Sequence, residues 1–376
     1  MSISIIIPTY NPGATAVTDM CAVLAQQKTP FQELVIIDSS STDGSADVWH
    51  NSWRHTAERY QHHATLIQKT IPKTAFNHGG TRNMAAHLAS GKVLVFLTQD
   101  ALPQDHEWLG ALTDSLSHAS KTAITATPIT ATPITAAFAR QIAPLDAPAK
   151  ERFARAFNYP DTARVKHWGD VSELGIKTFF FSNVASAFRR DAFEEVGGFP
   201  DTILNEDMLI AAKLLRSGYA VKYAAAARVW HGHNYSSKAQ FTRYFDIGVS
   251  LARARHLPPK LSSSSEGWRF VRQQLAFVHD EEGWRGLPGV IAEAAAKWWG
   301  FKLGQNERFL PTALKRCLSM HRAFWDAPQA HLSHLTQAAA PGSIQAASVS
   351  ASSDNDNHND SHNHNNSSND NDSHSD

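Results

Sequence analysis

Short apolar runs that each end abruptly on polar residues constrain this chain more than anything else in it. SIIIPT at 4–9, ELVIID at 33–38 and KVLVFLT at 92–98 carry large apolar side chains at successive positions. A run that is apolar on both faces belongs in a sheet covered on both sides. Helical spacing fills the gaps: residues 14–27, 45–60 and 82–90 read as helices, with a further strand at 65–69. Strands alternating with helices predict an α/β fold with a mostly parallel central sheet flanked by helices. Sheets of that kind bind ligands beyond the carboxyl ends of their strands. Pro8, Tyr10, Asp38, Gln99 and Asp100 all fall at such ends, so the fold should gather them at one edge.

Further along, 124–136 reads ITATPITATPITA, a five-residue repeat whose prolines oppose both helix and central strand. It is expected to form an inserted loop or a locally duplicated strand edge. Residues 179–188 read as a strand, 206–217 as a helix, and 220–229 as a strand running into Trp230 and His231. Helical patterns follow at 241–255 and 283–325. Beyond about residue 337 Ala, Ser, Asp, Asn and His dominate, and 354–376 contains no apolar residue, so a disordered tail is expected there.

Composition excludes several classes. Lys plus Arg equals Asp plus Glu, 35 each, and this balance gives no reason to expect a nucleic acid partner. The two cysteines, Cys21 and Cys317, are far apart, which fits a reducing compartment. The N-terminus lacks a basic region and a long apolar run, so no signal peptide is expected. No run of 18 apolar residues exists, so no spanning helix is expected either. The expectation is a cytoplasmic protein, with room for a peripheral contact at the inner face of the plasma membrane.

Five constellations carry chemistry. Asp38, followed by Ser39 to Asp43, suits recognition of a pyrimidine imino N–H, or equally an ordinary Asx-turn. Gly79 and Gly80 allow close backbone approach, and Arg82 stands at a helix start where a phosphate could bind. Asp100 is a lone carboxylate suited to Mg²⁺, which takes few protein ligands beside phosphate and water. Glu206 and Asp207 open an amphipathic helix and point in different directions, so one can serve as a general base; helix-dipole acidity explains them as well. His231 and His233 share a face in extended chain, so one of them can join Asp100 on a cation. The clustered ligands of a zinc site are lacking in this reading. Neither GxGxxG after a strand nor GxxxxGK[ST] occurs, which argues against dinucleotide and P-loop chemistry.

Taken in order, SIIIPTYN, VIIDSSSTDGS, HGGTRNMAA, LVFLTQDALP, FFFSNVASAFRRDAFEEVGGFP, NEDMLIAAKLLRSGY and HGHNYS with RYFDIG resemble family 2 glycosyltransferases of the GT-A fold, and bacterial rhamnosyltransferases in particular. The resemblance runs over about residues 1–325. It implies a catalytic domain at 1–255 and a C-terminal helical region at 256–330; the low-complexity tail at 331–376 is read from composition and is not part of the resemblance. It implies inverting transfer from dTDP-L-rhamnose to a saccharide acceptor of a cell-surface polysaccharide, free or lipid-linked. Asp207 would be the general base and Glu206 its orienting neighbour. Asp38 would read the thymine, Arg82 would face the nucleotide, and Asp100 with His231 would hold Mg²⁺ or Mn²⁺. Pro8, Tyr10, Gly79 and Gln99 would line the nucleotide, and Asn183 and Trp230 the sugar or acceptor pocket. The family's DxD is Thr98-Gln99-Asp100 here, with one carboxylate instead of two. A UDP-hexosamine or UDP-galactofuranose donor, or a scaffold without turnover, stay open as alternatives. Trp298, Trp299, Phe301, Phe309 and Trp325, interleaved with Lys297, Lys302, Arg308, Lys315 and Arg316, fit either peripheral membrane contact through 283–325 or packing within the fold or a homodimer.

Overall fold

The computed structural model describes residues 1–116, 132–233, 235–254, 257–258, 264–326 and 345–347. Residues 124–131 of the repeat and nearly all of the tail lie outside the described residues. The first half alternates as the runs require: β1 (Ile3–Thr9), α1 (Ala14–Ala25), β2 (Glu33–Asp38), α2 (Ser45–Tyr60), β3 (Thr65–Thr70), α3 (His78–Leu88) and β4 (Val93–Leu97). A two-residue β5 (Leu102–Pro103) and α4 (Trp108–Thr113) follow. Next come β6 (Ile134–Ile142), α5 (Ala149–Asn158), β7 (Arg164–Lys166), α6 (Val171–Leu174), β8 (Ala185–Arg189), α7 (Arg190–Glu195), α8 (Glu206–Arg216) and β9 (Ala220–Trp230). The remaining helices are α9 (Ser237–Arg253), α10 (Ser264–Glu282), α11 (Leu287–Gln305) and α12 (Thr312–Leu318), and Gln345–Ala347 forms β10.

One sheet runs in the order β10-β3-β2-β1-β4-β8-β6-β9-β5, with β7 also on β9. Pairing is parallel across β3, β2, β1 and β4, and between β6 and β9. β8 is inserted antiparallel between β4 and β6. Running against both of its neighbours, β8 leaves them pointing the same way. The ends of β1, β2, β4, β6 and β9 therefore share one edge with the start of β8. Thr9 lies opposite Asp38, and Ile142 opposite Trp230.

Both faces are covered, as continuous apolar runs demand. Ile5, Ile7, Leu34, Ile36, Val95 and Leu97 pack with Met20, Leu24, Trp49 and Trp108 on one face. Ile6, Val35, Ile37, Leu94 and Phe96 pack with Met84, Ile210, Leu214 and a knot of Phe188, Phe193 and Phe199 on the other. Alternate residues of each strand thus feed opposite cores.

Some elements depart from the sequence reading. The strand expected at 179–188 begins only at Ala185, because 175–179 coils into a 3₁₀ turn first. Ile134 to Ala136, the end of the repeat for which a loop and a strand edge were both open, begin the nine-residue strand β6. Region 283–325 is several pieces, and α11 packs against α9 with backbone contact. Gln345–Ala347, assigned to the tail, pairs antiparallel with β3.

Candidate active site

The carboxyl edge of the sheet brings Asp100 and the histidines after β9 together, and β5 is the reason. Leu102 pairs with Trp230, which pins the loop after β4 against the end of β9. Nε2 of His231 and of His233 lie 3.7 and 3.5 Å from Asp100 Oδ2. One ligand atom from each of the three residues falls within 4.8 Å of the others. His233 therefore joins the group, where the sequence reading placed one of the two histidines beside Asp100. Gln141, at the end of β6, orients His231. Arg155, which can only donate, bonds to Gln141 Oε1, so that oxygen is an acceptor. His231 Nδ1, 2.8 Å from the same oxygen, then donates to it, and Nε2 is the ring nitrogen that faces Asp100. Gln141 is itself locked by donating to the Tyr159 hydroxyl (2.6 Å) and the Ser182 hydroxyl (2.9 Å).

Electrostatics suit a cation at this place. Burial alone would raise the Asp100 carboxyl, but its interactions with His231, and after it Thr98, carry it below the usual range. Burial first, and His231 second, lower the His233 imidazole to about 4, so it is neutral at physiological pH. One ionised carboxylate and two imidazoles, with Asp100 still open to solvent, fit a divalent cation that keeps positions for phosphate and water.

The second group is the acidic pair. Asn205 adopts φ 63°, a left-handed conformation that Asn tolerates, and turns the chain into α8. Glu206 is buried and accepts from Arg82 Nη1 at 3.1 Å and from Asn183 Nδ2 at 3.4 Å. Burial pushes its carboxyl up, but the charge of Arg82 and the Asn183 bond bring it net below its ordinary value. Asp207 goes the other way. Its side chain keeps a solvent-facing edge while its surroundings are mostly protein. Burial first, and the Glu206 charge second, push it up to about 7, against weaker help from the N–H groups of Met208 and Asn183. Two adjacent carboxylates are thereby separated: one is fixed as an anion, and the other takes and gives a proton near neutral pH.

Several expected roles move. Arg82 does not face a nucleotide: it is 5% exposed, with Nη1 on Glu206 and on the His78 carbonyl. Gly79 approaches protein, not phosphate. A Cβ there would lie 3.0 Å from the Pro200 carbonyl and 3.2 Å from Phe199 Cβ. Asp38 is 1% exposed, and it accepts from the Ser41 N–H, the Ser41 hydroxyl and the Thr9 hydroxyl. The carboxylate is engaged inside its own turn, so it does not present itself to a base. Gln99 brackets the Tyr10 backbone, accepting its N–H at 2.7 Å and donating to its carbonyl at 3.0 Å. Tyr10 and the partly buried Pro8 before it are thus tied to the β4 tip, and the Tyr10 hydroxyl accepts from Lys73 at 2.7 Å. Asn183 is buried around the acidic pair instead of lining an open pocket. Trp230 remains half-buried at the β5–β9 pairing.

The C-terminal segment also reaches this edge, which no local pattern announced. The Met320 and His321 N–H groups donate to Asp246 Oδ2 at 2.9 and 3.1 Å. His321 meets the half-buried His78 edge-on at 4.9 Å between ring centres, and desolvation by the surrounding protein holds His78 neutral with its imidazole lowered to about 3. Gln141, His78 and His321 are separated by long stretches of chain from the residues they serve, so spacing alone does not find them. His233 was visible through its two-residue offset from His231.

Comparison with known proteins adds independent findings. The sequence model of "Glycosyl transferase family 2" matches residues 4–197, and that of "Glycosyl transferase family group 2" matches 150–276. The chain is similar to the O-antigen chain rhamnosyltransferase WbaN of Salmonella anatum, 36% identical over 329 residues, covering 86% of this chain and 96% of that one. It is also similar to the O-antigen chain rhamnosyltransferase RfbN of Salmonella typhimurium, 36% identical over 330 residues, covering 87% and 96%. Among solved structures, the mannosyltransferase PcManGT from Pyrobaculum calidifontis, in complex with GDP-Man and Mn²⁺, aligns over 89% of this chain and 86% of that one at 20% identity and a TM-score of 0.46.

Proposed function

This chain belongs to glycosyl transferase family 2, and on that premise we propose that it transfers L-rhamnose from dTDP-L-rhamnose to a saccharide acceptor of a growing O-antigen. The observation that carries the sugar is the end-to-end similarity to two O-antigen chain rhamnosyltransferases. The acidic pair supplies the chemistry. An acceptor hydroxyl attacks the anomeric carbon, and Asp207 takes its proton. The bond from that carbon to the diphosphate oxygen breaks, and the nucleoside diphosphate leaves with the electron pair. Attack from the opposite side inverts the configuration. Glu206, held as an anion by Arg82, keeps the proton affinity of Asp207 high enough for this transfer.

The donor set of Asp100, His231 and His233 would hold the divalent cation, and Gln141 fixes the ring of His231. When bound, that cation neutralises charge developing on the leaving diphosphate. Two imidazoles among three donors favour Mn²⁺ over Mg²⁺. The turn that Asp38 closes, and the Tyr10 backbone held by Gln99, would form the wall for the nucleotide. The acceptor would be lipid-linked, which would place the protein peripherally at the inner face of the plasma membrane.

Release of dTDP from dTDP-L-rhamnose in the presence of Mn²⁺, beside UDP-N-acetylglucosamine and UDP-galactofuranose, tests the reading. Release from the rhamnose donor alone, lost with chelator and in Asp207→Asn, is the expected result. Turnover of a UDP donor overturns the sugar. Donor binding by calorimetry with no turnover, even with extracted lipid-linked acceptor present, overturns the enzyme in favour of a scaffold.

A further inference from the structure

α11 has two faces, and among the described residues only the inner one is covered. Its inner face is committed to α9. A Cβ at Gly300 would lie 2.3 Å from the Phe241 carbonyl oxygen, and one at Gly304 would lie 2.0 Å from that of Phe245. The helices touch through backbone, which fixes the rotation of α11 about its own axis. Ile291, Ala295, Trp298 and Lys302 then fall along the opposite side at helical spacing, with Trp299 beside them, and all five are exposed. Trp298 and Trp299 are 53% and 56% exposed and meet edge-on, 4.7 Å between ring centres.

Charge on this helix is one-sided. Its single acid, Glu293, is buried on the inner face and pairs with Lys150 and Lys297. The sequence pattern had grouped Lys297, Lys315 and Trp325 with the exposed aromatics. The structure sorts them inward, with Lys315 on Glu307 and Trp325 against Phe245 and Phe324. What remains exposed on α11 is apolar apart from Lys302 and Gln305; the exposed acids Asp280, Glu281 and Glu282 stand before Trp284, with Glu281 on Arg152 and Glu282 accepting the Ala149 N–H. Exposed Trp284 and Arg285 precede α11, and exposed Arg308 and Phe309 follow it, with the Arg308 guanidinium 4.6 Å from the Phe309 ring centre.

We propose that this outer face of α11 is an interfacial docking surface that seats the protein on an anionic lipid bilayer. Helix geometry gives the surface a length of roughly 28 Å over 19 residues. Tryptophans and basic residues at both ends, with an apolar centre, match the headgroup–acyl boundary. No helix among the described residues is long and apolar enough to cross a membrane, so α11 lies on the surface instead of spanning it. Charge argues against a second copy of the chain as occupant. A two-fold pairing of α11 on itself brings two copies of Lys302 to the seam with no exposed acid on the helix to meet them. The acidic stretch at 354–376 offers countercharge but has no apolar side chain with which to cover Trp298 and Trp299. The proposal rests on this surface alone and holds whichever sugar the enzyme transfers.

The test is flotation of the full chain with vesicles of phosphatidylcholine alone and with phosphatidylglycerol added, at low and high salt. The expected result is co-flotation with the anionic vesicles at low salt. Partition should fall about tenfold or more in Trp298→Ser/Trp299→Ser and several-fold in Lys302→Glu. Both variants should release dTDP from soluble donor at the wild-type rate, which separates loss of docking from loss of catalysis. A wild-type chain that stays at the bottom of the gradient overturns the proposal, as does equal flotation of the Trp variant. A dimer seen by light scattering that the same substitutions dissolve assigns the face to a second copy instead.

Discussion

Asp207→Asn should lose turnover and gain stability above neutral pH, and the size of the gain follows from the site. Burial and the Glu206 charge raise the Asp207 carboxyl from 3.8 to about 7. In an unfolded chain it would titrate near 4. Between those values the folded protein binds a proton that the unfolded chain does not. Stability contributed by this group is therefore complete below about pH 4 and is lost as pH rises through 7. A shift of about three units is equivalent to roughly 4 kcal/mol as an upper bound. The solvent-facing edge and the interplay with Glu206 reduce it. Asparagine also keeps only one acceptor oxygen for the Met208 and Asn183 N–H groups, and a lost hydrogen bond costs about 1 kcal/mol. A net gain of about 1–2 kcal/mol at pH 8 is expected. Urea midpoints for both proteins at pH 8, 6 and 4.5 measure it, because groups away from the acidic pair titrate alike in the two proteins. Turnover should fall about 10²- to 10⁴-fold. A variant no more stable than wild type at pH 8, or a gain that does not shrink toward pH 4.5, refutes the reasoning.

Two further substitutions read other parts of the fold. Gln141→Leu removes the acceptor that fixes His231, and Mn²⁺ affinity measured by calorimetry without donor should drop about 10- to 100-fold while circular dichroism is unchanged. Gly304→Ala places a methyl 2.0 Å from the Phe245 carbonyl and should cost about 1–3 kcal/mol or more in thermal unfolding. Gly289→Ala on the same helix meets nothing within 4 Å and should be neutral or gain about 0.5–1 kcal/mol.

The parallel half of the sheet was legible because its strands are buried on both faces and therefore written as unbroken apolar runs. β6 and β8 were harder to read because Ala136, Ala137, Ala139, Ala185 and Ala187 fill their buried positions. Alanine favours a helix more than a strand and leaves no β-branched signature. The site divides along a similar line. Asp100, Glu206, Asp207 and His231 stand at element ends, where polarity after an apolar run is visible in one dimension. Arg82, Gly79 and Asp38 also stand at element ends and looked no different. For Arg82 and Gly79 the redirecting contact is one that local pattern does not encode: Glu206 lies 124 residues from Arg82, and Pro200 is likewise distant from Gly79. Asp38 is held by Ser41 within its own turn, the alternative its sequence had also offered.

The acidic pair shows what such distant contacts accomplish. Glu and Asp opening a helix are favoured by the helix dipole alone, and both would then be ordinary exposed anions. Here α3 approaches α8 closely enough for Arg82 to reach Glu206, and Gly79 permits that approach because it has no side chain to strike Pro200. The glycine and arginine that resemble a phosphate loop thus act on the carboxylates. With Glu206 held as an anion, its charge adds to burial in raising the proton affinity of Asp207. Arg82 also lowers Asp207, but less than Glu206 raises it. The two carboxylates differ in proton affinity because one has a guanidinium partner and the other does not, and that asymmetry distinguishes a general base from a helix cap.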